Sequence, residues 1–109
     1  MHFSKDYTMS QNELQIDVMQ LRKGRLMIRA IDHKLRQQML KLIHDNKKMN
    51  VTSIYTKLEI EQSVASQHLA ILRTAGYVKT ERDQRQIFYS LNYDRIKHVH
   101  KCCQQLIEQ

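Results

Sequence analysis

A chain of 109 residues has room for one domain with one modest core, and none for a separate catalytic domain. Eighteen Lys and Arg stand against 11 Asp and Glu, and the resulting net charge of +7 points to a polyanionic partner. No apolar run approaches the roughly 20 residues needed to span a bilayer, the N-terminal stretch lacks a signal-peptide apolar core, and the two cysteines are adjacent, so the sequence predicts a cytoplasmic protein without a disulfide framework.

There is no proline, and only Gly24 and Gly76 punctuate the chain, so most of it should be helical. Residues 1–9 read as loosely ordered. Over 11–24, Leu14, Val18 and Leu21 recur at i, i+4 and i+7, with Gly24 as a stop. A second helix is expected over 30–44, with Ile31, Leu35, Met39, Leu42 and Ile43 on its inner face. The polar run 45–48 ends it. Next comes a short helix over 51–58, with Val51, Ile54, Tyr55 and Leu58 inward and Asn50 placed to cap it.

Only Glu59 and Ile60 separate that helix from the next one, so the two must turn sharply in a helix-turn-helix spanning 51–75. In its second helix Ala65, Leu69, Leu72 and Ala75 share one face. The opposite face carries Gln62, Ser63, Ser66, Gln67 and Arg73, amides, hydroxyls and a guanidinium suited to base edges and phosphates. After Gly76 the period changes to two. Residues 77–82 and 86–91 read as strands around a charged tip, a hairpin over 77–91. A last helix over 93–107 has Ile96, Val99, Cys103, Leu106 and Ile107 along one stripe. The order α-α-α-α-β-β-α describes a single winged-helix domain over 1–109, mostly α with a small β-hairpin wing.

With these residues in place, the chain resembles the ArsR-type family of bacterial winged-helix regulators. The resemblance is carried by Leu58, by Gln62-Ser63-x-x-Ser66-x-His68-Leu69-x-x-Leu72-x-x-Ala75-Gly76-Tyr77-Val78, and then by Arg82, Arg85 and Phe88-Tyr89-Ser90-Leu91. Asp32, Arg36, Leu40 and Ile43 match the family's second helix, so the likeness covers roughly residues 28–91. His33 stands where the family commonly has Pro, and Glu61 where it has Ser. The resemblance implies a DNA-binding homodimer joined through the terminal helices, with Leu14, Val18, Leu21, Ile96, Val99, Cys103 and Leu106 at the interface. The alternative is that these helices simply cap one monomer's core.

The family's metal sites do not carry over. The helix over 51–58 has no Cys or His where soft-metal sensors hold a thiolate pair. Zinc-ligand positions of other members fall on Tyr93, Arg95, Leu106 and Gln109, and Arg95 would oppose a cation. No cofactor is expected. His98 and His100 point about 200° apart on a helix and cannot chelate together. His98 with Cys102, four apart, is half of a site at best, and the plain alternative is a solvent-facing pair.

The expected function is a dimeric, sequence-specific transcriptional regulator, a repressor that occludes an inverted-repeat operator in double-stranded DNA. Gln62, Ser63, Ser66 and Gln67 would read the major groove; Arg73, Arg82 and Arg85 would contact phosphate, with Gln84 and Arg85 at the wing tip reaching toward the minor groove. His68 is expected at the edge of the core. The alternatives are a thiol- or metal-responsive regulator sensing through His98, Cys102 and Cys103, and a winged-helix protein-interaction module. No glycine-rich phosphate loop and no nucleophile–base–acid set suggest an enzyme.

Overall fold

The computed structural model describes residues 14–108. The stretch 1–9 and the first residues of the helix expected over 11–24 lie outside that range. The element order is α1 (Val18–Ile31), α2 (Lys34–Asn46), β1 (Lys48–Asn50), α3 (Val51–Leu58), α4 (Gln62–Thr74), β2 (Val78–Asp83), β3 (Gln86–Leu91) and α5 (Tyr93–Ile107).

The first helix departs from the sequence expectation. It starts at Val18, with the Asp17 carboxylate accepting the Gln20 N–H at 3.1 Å, and Leu14 precedes it in non-helical chain. It also runs straight through Gly24. A mid-helix glycine costs only about 1 kcal/mol relative to alanine, and the turns beyond it are fixed from elsewhere. Ala30 is buried, Met27 and Ile31 pack on the core, and the buried Tyr77 hydroxyl donates to the Met27 carbonyl at 2.6 Å. Ala30 and Ile31 therefore end α1 rather than begin the second helix.

That second helix starts at Lys34. His33 caps it, its Nδ1 accepting the N–H groups of Leu35 and Arg36 at 3.2 and 3.4 Å. The imidazole thus serves the unpaired N–H groups of the helix start as a side-chain acceptor, which Pro cannot. α2 buries Met39, Leu40 and Ile43.

β1 was not expected. Its three residues pair antiparallel with β3, Met49 opposite Tyr89, to give a three-stranded sheet in the order β1-β3-β2. Lys48-Met49-Asn50 has no alternation long enough to signal a strand, and the pairing with β3 and the burial of Met49 decide it. The core gathers Met39, Ile43, Ile54, Leu69, Leu72 and Tyr77, all fully buried, between α2, α3, α4 and the sheet.

Candidate nucleic-acid interface

The helix-turn-helix is set by its caps. Asn50 Oδ1 accepts the Ser53 N–H at 2.8 Å and starts α3. α3 ends at Glu59, a non-glycine residue with φ 55° and ψ 46°. The Glu59 N–H reaches the Thr56 carbonyl and the Ile60 N–H reaches the Tyr55 carbonyl, the paired closure of a left-handed cap. α4 closes the same way: Gly76 has φ +85°, its N–H bonds Arg73, and the Tyr77 N–H bonds Leu72. Two matched caps thus fix where α4 begins and where the chain leaves it for the wing.

α4 buries Ala65, Leu69 and Leu72, leaving Gln62, Ser63, Ser66, Gln67 and Arg73 exposed. At about 100° per residue these five span roughly 140° of the helix circumference, one continuous outward face. Glu61, at the N-cap, makes no side-chain capping bond and is exposed. His68 is half-buried at the core edge. Its Nδ1 accepts from Arg36 Nε at 3.2 Å, and its ring lies 4.8 Å from that of His33. Burial, then the neighbouring His33 and Arg36, hold its pKa below the ordinary histidine value.

The wing is β2 and β3 joined through Gln84 and Arg85, with Gln84 at φ 58°. Arg82, Gln84 and Arg85 are all exposed. The hairpin is fastened near its turn and along its middle. Asn50, besides capping α3, donates through Nδ2 to Gln86 Oε1 at 2.7 Å. Lys48 lies 3.4 Å from Glu81 and 5.1 Å from the Phe88 ring centre. Sequence reasoning gave Asn50 one role; its second depends on β1 bringing it beside β3, which no local pattern announced.

The residues expected at a subunit interface fall into two groups. Val18, Ile96, Val99 and Cys103 are half-buried, whereas Leu14, Leu21 and Leu106 are exposed. α5 has no fully buried residue and α1 only Ala30. His98 Nε2 and Cys102 Sγ approach to 3.8 Å. Among the described residues no group of three or more His, Cys, Asp or Glu is placed to hold a metal ion.

A helix-turn-helix with a polar, exposed second helix and a β-hairpin wing defines a DNA-binding regulator of the winged-helix class. Comparison with known proteins narrows this. The family model "Bacterial regulatory protein, arsR family" matches residues 33–80. The transcriptional activator HlyU of Vibrio cholerae is 35% identical over 75 residues, 69% of this chain and 68% of that protein. The transcriptional repressor PagR of Bacillus anthracis is 29% identical over 87 residues, 80% of this chain and 87% of that protein. The solved structure of PagR superposes with a TM-score of 0.63 over 78% of this chain and 97% of that one, at 28% identity. HlyU from V. cholerae gives 0.63 over 84% and 99%, at 30% identity. The chain belongs to the arsR family of bacterial regulatory proteins. It is a DNA-binding transcriptional regulator and not an enzyme. No helix among the described residues is long and apolar enough to cross a membrane.

Proposed function

We propose that this regulator is a homodimer that reads an inverted-repeat operator and represses by occluding it. Gln62, Ser63, Ser66 and Gln67 enter the major groove. Arg73, Arg82 and Arg85 contact phosphate, and Gln84 and Arg85 carry the wing tip toward the minor groove. The observation behind this assignment is the division of α4, whose inner face is buried to Ala65, Leu69 and Leu72 while every proposed contact is exposed. A buried face holds the helix rigidly; an exposed amide such as Gln67 can then pair bidentately with adenine.

Dimerisation through α1 and α5 is supported by the apolar side chains those helices leave uncovered, among them Leu21, Leu106 and Ile107. A lone winged helix buries little DNA, and two-fold pairing supplies two half-sites. Repression follows the relative named as a repressor; the other is named as an activator, so the sign rests on where the operator lies relative to the promoter.

A second reading, a regulator whose signal enters at the last helix, draws on the 3.8 Å approach of Cys102 to His98 and on the cavity between α1 and α5 lined in part by Arg95, His98, Cys102 and Cys103. Selection from random duplexes with the reduced, metal-free protein, repeated with zinc and with oxidant, separates the two. Enrichment of an inverted repeat that neither treatment releases supports the first. Release that is lost in the Cys102→Ser/Cys103→Ser protein supports the second, and no enrichment defeats both. In the enriched duplex, Gln67→Ala should flatten base preference, whereas Arg85→Ala should weaken all sequences and lower the salt slope by about one per bound protomer.

A further inference from the structure

α1 carries Arg22, Lys23, Arg25 and Arg29 within eight residues and no Asp or Glu among them. All four are exposed, and the ion pairs found among the described residues, Lys41–Asp45 and Lys48–Glu81, involve none of them. Like charges three and four apart destabilise a helix, and Gly24 in their midst weakens it further. Apart from Arg29, which as the basic residue of the last turn suits the helix dipole, the stripe does little for the helix that bears it.

Its position relates it to α4. α1 and α4 enclose an apolar groove in which Lys23 and Leu26 face Ala70, Ile71 and Thr74. A second hollow beside it brings Arg29 and Arg36 against Ile71. Lys23 and Arg29 thus stand on the rim of a groove whose far wall is the C-terminal half of α4. Around α4, Ala70 and Thr74 fall in the same arc as Ser63, Gln67 and Arg73, so the groove wall continues the face proposed to read bases. Arg22 lies about 20° from Arg29 around α1, on the same side. A second copy of the chain offers these cations little: α5 contains one acidic residue, Asp94, and Glu108 follows it. A polyphosphate backbone offers a charge for each.

We propose that Arg22, Lys23 and Arg29 form a second phosphate-contact surface, on α1, that holds the DNA backbone beyond the stretch engaged by α4 and the wing. The proposal rests on the DNA-reading role assigned to α4. Contacts of this kind add affinity and register without reading sequence, and each phosphate neutralised contributes about 0.9 to the slope of log affinity against log salt.

The test is a salt titration of binding by the full chain to its selected duplex and to an unrelated one. In the R22Q/K23Q/R29Q protein the slope should fall by about two to three per bound protomer, about five for the dimer, on both duplexes, with the ratio of the two affinities unchanged. A control with Lys41, Lys97 and Lys101 changed to Gln removes the same net charge from α2 and α5 and should keep the wild-type slope. An unchanged slope in the α1 triple, or an equal fall in both triples, overturns the proposal. Arg29→Gln alone should lower the slope by about one per bound protomer, about two for the dimer, which keeps the test open if the triple folds poorly; an unchanged slope there counts against it equally. Failure of the wild type to select any duplex would instead overturn the role of α4, so the two failures are distinguishable.

Discussion

Gly76→Ala tests the joint between the reading helix and the wing. The residue sits at φ +85°, and it closes α4 through its N–H to Arg73 while its carbonyl accepts from Asn92 Nδ2 at 3.0 Å. Placing an L side chain in the left-handed region costs about 1–2 kcal/mol. Removing glycine from the unfolded chain returns about 0.4–1 kcal/mol. An added Cβ would also meet Arg95 Nε at 3.1 Å and Nη2 at 3.3 Å. Arg95 is exposed, so its guanidinium can swing away at a cost of roughly a few tenths of a kcal/mol. The net expectation is a loss of about 1 kcal/mol, or about 4–8 °C in Tm for a domain near this size. Thermal melts at one fixed protein concentration measure it, because association shifts Tm. Repeating the substitution in an Arg95→Ala background separates the two causes, since the crowding vanishes there and the backbone cost stays. A Gly76→Ala protein as stable as wild type, or a loss that disappears entirely with Arg95→Ala, would refute the reasoning.

Glu59 holds the equivalent position at the end of α3 without being glycine, so Glu59→Gly should change stability in the opposite sense, raising Tm by a few degrees; a fall would show that Glu59 earns its place by an interaction other than backbone geometry. Tyr77→Phe removes the hydroxyl that ties β2's approach to the Met27 carbonyl of α1, and should cost about 1 kcal/mol in a denaturant titration with an unaltered m-value. His68 gives a pH dependence of known sign. Its folded-state pKa is lowered by burial and by His33 and Arg36, so the unfolded chain takes up its proton first as pH drops. The contribution is complete above about 6.5 and is lost as pH falls through the lower folded value. In His68→Gln that part of the pH slope should be absent; identical slopes in the two proteins would remove His68 as the cause.

The parts legible in the sequence are those where periodicity and caps agree. α3 occupies Val51–Leu58 and α5 Tyr93–Ile107, the spans the apolar spacing marks, each with an Asn at its N-cap. The two-sided pattern of α4 also foretells which side chains stay exposed, because burial of Ala65, Leu69 and Leu72 leaves the other face no alternative. What failed was local inference about elements decided by distant contacts. Gly24 looked like a stop, yet Met27, Ala30 and Ile31 are held by the core and by Tyr77, fifty positions away from Met27. Lys48-Met49-Asn50 became a strand because β3 lies beside it. The Arg36–His68 bond and the Asn50–Gln86 strut link side chains whose adjacency only the assembled fold creates.

The terminal helices carry a consequence for how the proposed dimer would work. α5 runs 15 residues without one fully buried side chain, and α1 runs 14 with one. Helices of this length are marginal in water unless an apolar face is covered; Met27, Ile31, Ile96 and Val99 pack on the core, but Leu21 at 64% exposure, Leu106 at 70% and Ile107 at 79% leave part of each face open in a single chain. In the proposed dimer one event covers that surface and fixes the distance between the two α4 helices. Stability and half-site spacing then depend on the same contacts. The cavity that holds His98, Cys102 and Cys103 lies in the seam between α1 and α5. A chemical change there need not reach α4 through the core. Moving α1 against α5 by a small amount would alter the spacing at which two half-sites can be engaged, and DNA affinity would respond even with both reading faces intact.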